Sequence, residues 1–383
     1  MLVDIVVVGS LVTDYITIGF GGKGANQCLM AAKLGAATAF VGKGMTMEMM
    51  MMGLGHDAVG DNYLDELKRT TINIDHVTRT SLAQSAVANV VVDDNGCGLV
   101  SRGWWYLLYG RLLGRKMLFH HIYEVALDAR PKFVDRLRGL PAQVAAKLHC
   151  LGPDGGENCI VNIPGSNRLM TVEDVNAAAE VIKSAKVLIC QNEISFDATK
   201  AALTIARQNG VVTVLNAGPA VPNLDPEILN NSDIVCVNET EKQYFPSLVL
   251  MYFWPSQAEV LTGVPVSGVA DAVSAAKVLL TQGCREAVIT LGAKGAVSLD
   301  LTSLAAGTDH EWVPAEKVVA VDTTGAGDAF IGAMAFYLAK MPTLPTKEKL
   351  RRSCAIATQS VLKPGAWLSL PAREELPSHL FDE

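Results

Sequence analysis

The residues most able to do chemistry lie at 321–339, VDTTGAGDAFIGAMAFYLA, where two glycines and a carboxylate open an apolar run. The run is rich in alanine, methionine and leucine and meets no breaker before Pro342. It predicts a short strand end at Val321, a glycine-rich turn, and a helix whose first turn falls at residues 325–329. A helix start leaves four backbone N–H groups without partners and adds roughly half a positive charge, so it favours an anion such as phosphate. Gly325 and Gly327 let backbone come close to a ligand. Asp328 is the odd member, because a carboxylate repels phosphate. It makes sense as a base acting on a hydroxyl that attacks phosphorus. The plainer alternative is a first-turn acid that stabilises the helix dipole, and this stretch alone weighs the two about equally.

A second glycine-rich loop, GFGGKGANQ at 19–27, also opens a helical pattern, CLMAAKLGA. Gly21, Gly22 and Gly24 allow backbone approach, while Lys23 and Asn26 carry donors suited to a polyhydroxylated molecule or a phosphate. The loop matches neither the phosphate-loop pattern G-x-x-x-x-G-K-S/T nor the dinucleotide pattern G-x-G-x-x-G. Residues 5–9, IVVVG, read as a buried strand, and Asp14 follows, either near the ligand-bearing edge of an open α/β sheet or in a turn. NETE at 238–241 places an amide and two acids at a strand end, which suits a Mg²⁺ hydration shell or a solvated acidic turn. TLGAKG at 290–295 follows a strand and could lay a nucleotide against backbone.

These motifs need a scaffold, and the chain after Pro164 supplies one. Helix-like residues 172–183 precede the strand KVLICQ, with Glu193 just past its end, and helix-like 198–208 precede VVTVLN. DIVCVN then ends at Asn238, helix-like 270–282 lead into EAVITLG, and a last helical run covers 347–361. Such alternation predicts a parallel sheet with both faces covered. With 383 residues and 50% hydrophobic content, a sizeable core is within reach. A net charge of −7 and a pI near 5.6 argue against nucleic acid as a partner and for small molecules. The eight cysteines have no CxxC spacing and read as reduced, mostly buried thiols of a cytoplasmic protein. No apolar run reaches membrane-spanning length, and MLVDIVVVGS lacks the basic start of a signal peptide.

Three stretches break the pattern. The first is the insertion 45–55, whose residues 45–52 hold six methionines in eight positions and read as a surface loop. Residues 97–155 are rich in Arg and Leu, hold two of the five tryptophans, and interrupt the strands at 85–93 and 158–163, which look like partners. Residues 242–257 are aromatic and separate NETE from AEVLTG. His56 and His76 have no metal-like spacing, and the adjacent His120 and His121 would point apart on a helix or strand.

GGKGANQ, NETE, TLGAKG and DTTGAGDAF, in that order, resemble the ribokinase-like sugar kinases, the PfkB carbohydrate kinases. GGKGAN and IPGSN resemble the ribokinase branch more than adenosine kinase or fructokinase. The resemblance implies one α/β domain over residues 1–383, a three-layer, doubly wound, mostly parallel sheet with a small β lid. It implies ATP, Mg²⁺ and K⁺ as cofactors, D-ribose phosphorylated at O5, a homodimer through the lid, and a cytoplasmic place with a nuclear pool besides. Asp328 would take the proton from the sugar 5-hydroxyl, and the amides of Gly325, Ala326 and Gly327 would form the anion hole. A carboxylate near pKa 4 would be a poor base for an alcohol until charge develops in the transition state. Val12, Thr13, Asp14, Gly22, Lys23, Gly24, Ala25, Asn26 and Glu193 match positions around the sugar. Asn238 and Glu241 match the pair acting on phosphate and Mg²⁺. Thr290, Leu291, Gly292, Ala293, Lys294 and Gly295 match the adenine and ribose side of the nucleotide site, with Gly327 and Asp328 at its phosphates. Cys354 aligns near the base, where the family often has His or Asn. Asp322, Thr324, Ser360, Lys363, Gly365 and Ser369 match the loops that bind an activating monovalent cation through backbone carbonyls.

The departures concern the lid. Family members carry a further strand pair between the TD element and GFGGKGANQ, whereas here TDYIT runs straight into IGFGG near residues 18–19. The other lid strands carry the 97–155 excursion at their tip. A lid excludes water and orients the hydroxyl, so its alteration would spare nucleotide binding and impair transfer. Cutting back the three stretches restores family-like sequence, as in NETEAEVLTG, which points to retained introns and a skipped exon in the gene model. Transcripts carrying these stretches as coding sequence would overturn that explanation.

Overall fold

The structure is a computed structural model that describes residues 3–14, 19–45, 58–80, 87–92, 147–150, 158–163, 165–239, 243–244, 256–307 and 310–382. Its centre is a nine-stranded sheet in the order Glu311–Val313, Ala296–Asp300, Glu286–Thr290, Ile234–Asn238, Val212–Asn216, Val187–Gln191, Ile5–Val8, Thr38–Met45, Asn73–Thr80. The seven strands from Glu286–Thr290 to Asn73–Thr80 run parallel, and the remaining two are antiparallel at one edge. IVVV and VLICQ are buried at every position, as strands covered on both faces must be.

Alternate residues of these strands feed two separate cores, because successive side chains point to opposite faces. Ile5, Val7 and Ile189 pack with helices Lys23–Lys33, Ala326–Lys340 and Thr346–Ser360. Val6, Val8, Leu188 and Cys190 pack on the other side with Phe196–Gln208 and Val269–Thr281. The result is three layers. Each fully buried Val, Leu or Ile contributes roughly 1.5–3 kcal/mol, so the strand register is fixed by many such residues at once.

The helix that carries Asp328 runs Ala326–Lys340 and is buried on nearly every side, from Ala329 to Tyr337 without interruption. A helix apolar all round belongs inside a protein. Gly325 caps it in the left-handed region at φ 83°, which a Cβ would strain. Gly332 sits against Lys23–Lys33, where a Cβ would come within 2.6 Å of Met30 Cβ and 2.7 Å of the Gln27 carbonyl oxygen. The two helices therefore meet backbone to backbone, which brings the second glycine-rich loop to Asp328.

Most expected elements are present, with shifts of one or two residues at their ends. Residues 172–183 form two short helices, Val172–Ala177 and Ala179–Ser184, with the turn tightened by an Ala178 N–H to Val175 carbonyl bond of 3.0 Å. The strand end expected at Val321 is not formed. Val321 and Asp322 instead donate to the Val361 carbonyl at 2.8 and 3.3 Å, which fastens an exposed loop to the end of Thr346–Ser360.

A second sheet has the order Gln243–Tyr244, Lys147–Cys150, Asn158–Ile163, Val87–Val92, Val12–Asp14, Gly19–Gly21. The expected pairing of the strands at 85–93 and 158–163 is there, antiparallel, with Val87 opposite Ile163 and Val92 opposite Asn158. Val12–Asp14 pairs antiparallel with Gly19–Gly21, on either side of the point where the sequence leads to the expectation of a missing strand pair. Two of the pattern-breaking stretches, 97–155 and 242–257, each contribute a strand to this sheet. The rest of 97–155 and of the methionine run, with His56, His120 and His121, lies outside the described residues. Among the described residues no helix is long and apolar enough to cross a membrane.

Candidate active site

Strand order reverses at Ile5–Val8: successive strands proceed one way through Thr38–Met45 and the other way from Val187–Gln191. The crevice outside the carboxyl ends at such a switch point is where open α/β sheets place ligands. Here Ser10 follows one central strand and Glu193 the other, and the Ser10 hydroxyl donates to the Glu193 carboxylate. The Lys23 backbone N–H, at the start of Lys23–Lys33, donates to the same Glu193 oxygen at 3.0 Å, and the Gly24 N–H reaches Ser10 Oγ at 3.4 Å. A carboxylate at a helix start is favoured by the orphan amides and the dipole.

Asp328 faces this carboxylate from the second helix start. It is 6% exposed, while Gly327 before it is exposed, so the carboxyl group lies just behind an open helix terminus. Asn26 Nδ2 donates to Oδ2 at 2.9 Å and Gln27 Nε2 to Oδ1 at 2.8 Å. Burial pushes the Asp328 carboxyl up from 3.8 to about 6, against the pull of the Lys23 charge and the two amides. The sequence-based expectation of a carboxylate near pKa 4 is thereby corrected: the group is ionised at neutral pH yet accepts a proton more readily than an exposed aspartate. The Ala326 N–H is engaged by the Thr323 carbonyl at 3.2 Å, so an anion at this terminus competes for it.

Other residues singled out in the sequence occupy the following places. Gly22, Lys23, Gly24, Ala25 and Asn26 are brought to the switch point, with the Ala25 N–H bonded to the Ser10 carbonyl at 3.1 Å. Val12 and the backbone of Thr13 and Asp14 lie on the adjoining strand. Asn238 stands beside Thr290 in register, which joins NETE to TLGAKG. The latter closes as a turn, Leu291 N–H to Gly295 carbonyl at 2.7 Å, leaving Gly292, Ala293 and Lys294 exposed. Glu241 lies outside the described residues. Glu239 beside it has its carboxyl raised by burial, and Oε2 has no partner among the described residues.

Asp322 bonds the Thr324 N–H at 2.8 Å with one oxygen and the Gly365 N–H at 2.8 Å with the other, tying the 322–325 turn to the loop after Thr346–Ser360. Ser360, at the end of that helix, and Ser369, in the loop, are buried, and Lys363 turns its ammonium to Glu375 at 2.7 Å. Cys354 is buried in the core that packs on Ala326–Lys340, its thiol pushed up to about 12 by burial. Among the described residues no cluster of three or more His, Cys, Asp or Glu is placed to hold a metal.

Sequence reasoning missed Ser10, Gln27, Gln191 and Asn167. Ser10 lies two residues past one central strand, Gln191 ends the other and Gln27 follows Asn26, so their positions carried a signal. Asn167, in the IPGSN stretch, brackets Leu11 by accepting its N–H at 3.2 Å and donating to its carbonyl at 2.9 Å. Tyr63 and Trp367 were also missed. With Phe20 they form an edge-on cluster at 5.0, 5.9 and 6.1 Å, and Tyr63 donates to the Gly21 carbonyl at 2.6 Å, bracing the loop from below.

Comparison with known proteins gives the family and the fold. The model of the pfkB family carbohydrate kinases matches residues 7–101 and 142–373, passing over part of the 97–155 excursion. Ribokinase of Mus musculus is 35% identical over 395 residues, which cover 98% of this chain and 94% of that protein. Deoxyribokinase of Salmonella typhi is 26% identical over 396 residues, 98% of each chain. The structure of Arabidopsis thaliana ribokinase complexed with ribose and ATP superimposes with a TM-score of 0.65 at 22% identity, covering 98% of this chain and 97% of that one.

Proposed function

Since the chain belongs to the pfkB family of carbohydrate kinases and is a ribokinase-like phosphotransferase, we propose that it transfers the terminal phosphoryl group of ATP to O5 of D-ribose, giving ADP and D-ribose 5-phosphate. The observation that carries this reading is Asp328, a buried carboxylate held by two amides at an open helix start, with its pKa raised to about 6.

The sugar lies in the switch-point crevice, with hydroxyls toward Glu193, Lys23 and Asn26 and its 5-hydroxyl against Asp328. O5 forms a bond to the terminal phosphorus as the bond to the bridging oxygen of ADP breaks, and the hydroxyl proton passes to Asp328. The N–H groups at the start of Ala326–Lys340 take up the charge on the moving group. Asp328 is matched to this task because a base is most useful when its pKa lies near the working pH.

Adenine and its ribose lie along residues 290–295. A Mg²⁺ hydration shell would be held by Asn238 and Glu241, whose oxygens are of the type that ion prefers, and bound there it would neutralise phosphate charge. K⁺ would take the Asp322 carboxylate and backbone carbonyls of the two loops that Asp322 ties together, and its charge would support the anion site beside it. Thr324, Ser360, Lys363 and Ser369 contribute backbone to that junction.

A second reading, 2-deoxyribose as acceptor, is supported by the likeness to the Salmonella typhi deoxyribokinase. A coupled ADP-release assay with ribose, 2-deoxyribose, other pentoses and hexoses, and no sugar separates them. Ribose-dependent release exceeding that with 2-deoxyribose supports the first reading, and the reverse order supports the second. Nucleotide binding with no sugar-dependent release would overturn both and leave a nucleotide-binding protein.

A further inference from the structure

We infer that two buried carboxamides, Gln191 and Gln27, form a relay that fixes the orientation of Asp328 and are positioning residues for phosphoryl transfer. The inference rests on the reading of Asp328 as the base. Gln191, the last residue of a central strand, and Gln27, in the first helix, are both fully buried. Gln191 Nε2 donates to Gln27 Oε1 at 2.8 Å, and Gln27 Nε2 donates to Asp328 Oδ1 at 2.8 Å.

The direction of the chain follows from chemistry. An ionised carboxylate only accepts, so Gln27 must turn its NH₂ toward Asp328. Its oxygen then faces Gln191 and needs a donor, which only the NH₂ of Gln191 can supply. Were Gln27 reversed, two acceptors would meet at Asp328 in a buried site, and two NH₂ groups would meet at Gln191. Each amide thus dictates the next.

The strand end that starts the relay is itself confined. Gln191 Oε1 lies in a slot between two glycines, where a Cβ on Gly9 would stand 2.1 Å from it and one on Gly24 2.9 Å. That oxygen has no hydrogen-bond partner among the described residues, so shape holds it in place. This gives Gly9 and Gly24 a role beyond ligand approach. The switch point of the sheet and the carboxylate on the far helix become one rigid unit.

For Asp328 the consequence is twofold. With Gln27 on one oxygen and Asn26 on the other, rotating the carboxylate would break a buried hydrogen bond, so it is held in one orientation for a hydroxyl arriving at the open helix start. The donors also favour the ionised form, together with the Lys23 charge and against burial and the Glu193 charge.

Titration of the Asp328 carboxyl carbon by NMR, in protein labelled with carbon-13 at aspartate Cγ, tests this without any substrate. The signal is identified by its loss in Asp328→Asn. In Gln27→Met, an unbranched replacement of similar length, the Asp328 midpoint should rise by about one pH unit, the equivalent of one lost hydrogen bond to a charged group. In Gln191→Met it should rise by less, because Gln27 keeps its contact but loses its anchor. With an active sugar, kcat should fall roughly tenfold in Gln27→Met with the KM for ATP unchanged, and the acid limb of the pH profile should move with the NMR midpoint. Midpoints in both variants that superimpose on the parent protein's would overturn the relay. Absence of ribose turnover in the parent protein would count against the proposed reaction and leave the titration result standing.

Discussion

Two regions of the same sheet edge are built in different ways. Around Asp328 the contacts are side chain to side chain and mostly buried: Asn26, Gln27, Gln191, Ser10 and Glu193 each touch another member of the group. Around residues 290–295 the contacts are backbone to backbone, as in the Leu291 to Gly295 bond of 2.7 Å, and the tip is exposed. Buried polar groups are costly to leave unpaired, so the first region depends on residue identity. The second depends on the path of the chain. Substitutions should therefore be felt very unequally at the two ends of one proposed reaction.

The largest effect is expected at Asp328. Asp328→Ala should lower sugar-dependent ADP release by on the order of 10²–10⁴, the usual worth of a general base, while isothermal titration shows ATP binding intact. The parent protein should lose activity on acidification through about pH 6, where the carboxylate takes up its proton. A flat profile from pH 5 to 8, or unchanged turnover in the variant, would remove the contrast between the two regions.

Gly332→Ala comes next, because it strikes the contact that brings the two helices together. The added methyl would stand 2.6 Å from Met30 Cβ and 2.7 Å from the Gln27 carbonyl, and forced overpacking of this kind costs about 1–3 kcal/mol. Thermal denaturation should register the loss, and activity should fall with it, since Gln27 itself is displaced. A stability loss with normal kcat would mean that the helices set the fold but not the carboxylate.

A gentler change separates the charge of Asp328 from its shape. The folded pKa, about 6, lies above the ordinary 3.8, so between these values the folded state binds a proton that the unfolded state has lost. Stability therefore declines as pH rises through that window, and the cost of burying the charge is complete above it. Asp328→Asn abolishes that cost. Its NH₂ meets one of the two amide donors, so the test is the difference: relative to the parent protein, the variant should gain about 1–2 kcal/mol between pH 4 and pH 8, read by denaturant melts at each pH. An equal difference at both would imply that Asn26 and Gln27 fully offset the buried charge.

The same contrast explains what could be seen before the structure. Backbone-built features announce themselves: VLICQ, IVVV and the helix after Gly327 show their burial in an unbroken apolar pattern, and Gly325 shows its turn. Asp328, Asn26 and Lys23 could be selected because their residue types suit phosphoryl transfer. Gln27 and Gln191 could be placed, one beside Asn26 and the other at a strand end, but not paired, since they meet only when a helix from residue 23 and a strand ending at 191 come together. The bond from Ser10 to Glu193 was hidden for the same reason. The pKa of Asp328 was equally out of reach, because it comes from burial beneath a helix packed by Gly332. The apolar VVAV before Asp322 suggested a strand end, but no neighbouring strand is available there, and Val319 stands 90% exposed.

The smallest effect should come from the exposed turn. Lys294 is exposed, and its ammonium makes one bond to the Ser267 carbonyl at 2.6 Å, while its own carbonyl accepts from Trp312 Nε1 at 3.1 Å. Only the first of these is lost in Lys294→Ala. Stability should change by no more than about 0.5 kcal/mol, as is usual for a surface substitution away from caps and buried networks. If the nucleotide lies against backbone, the KM for ATP should stay within about twofold of the parent value, since loss of one exposed charge in water is worth little. A tenfold rise would mean that the ammonium itself grips the nucleotide. The turn would then depend on residue identity as Asp328's surroundings do, and the distinction between the two regions would fail at the end where it is cheapest to test.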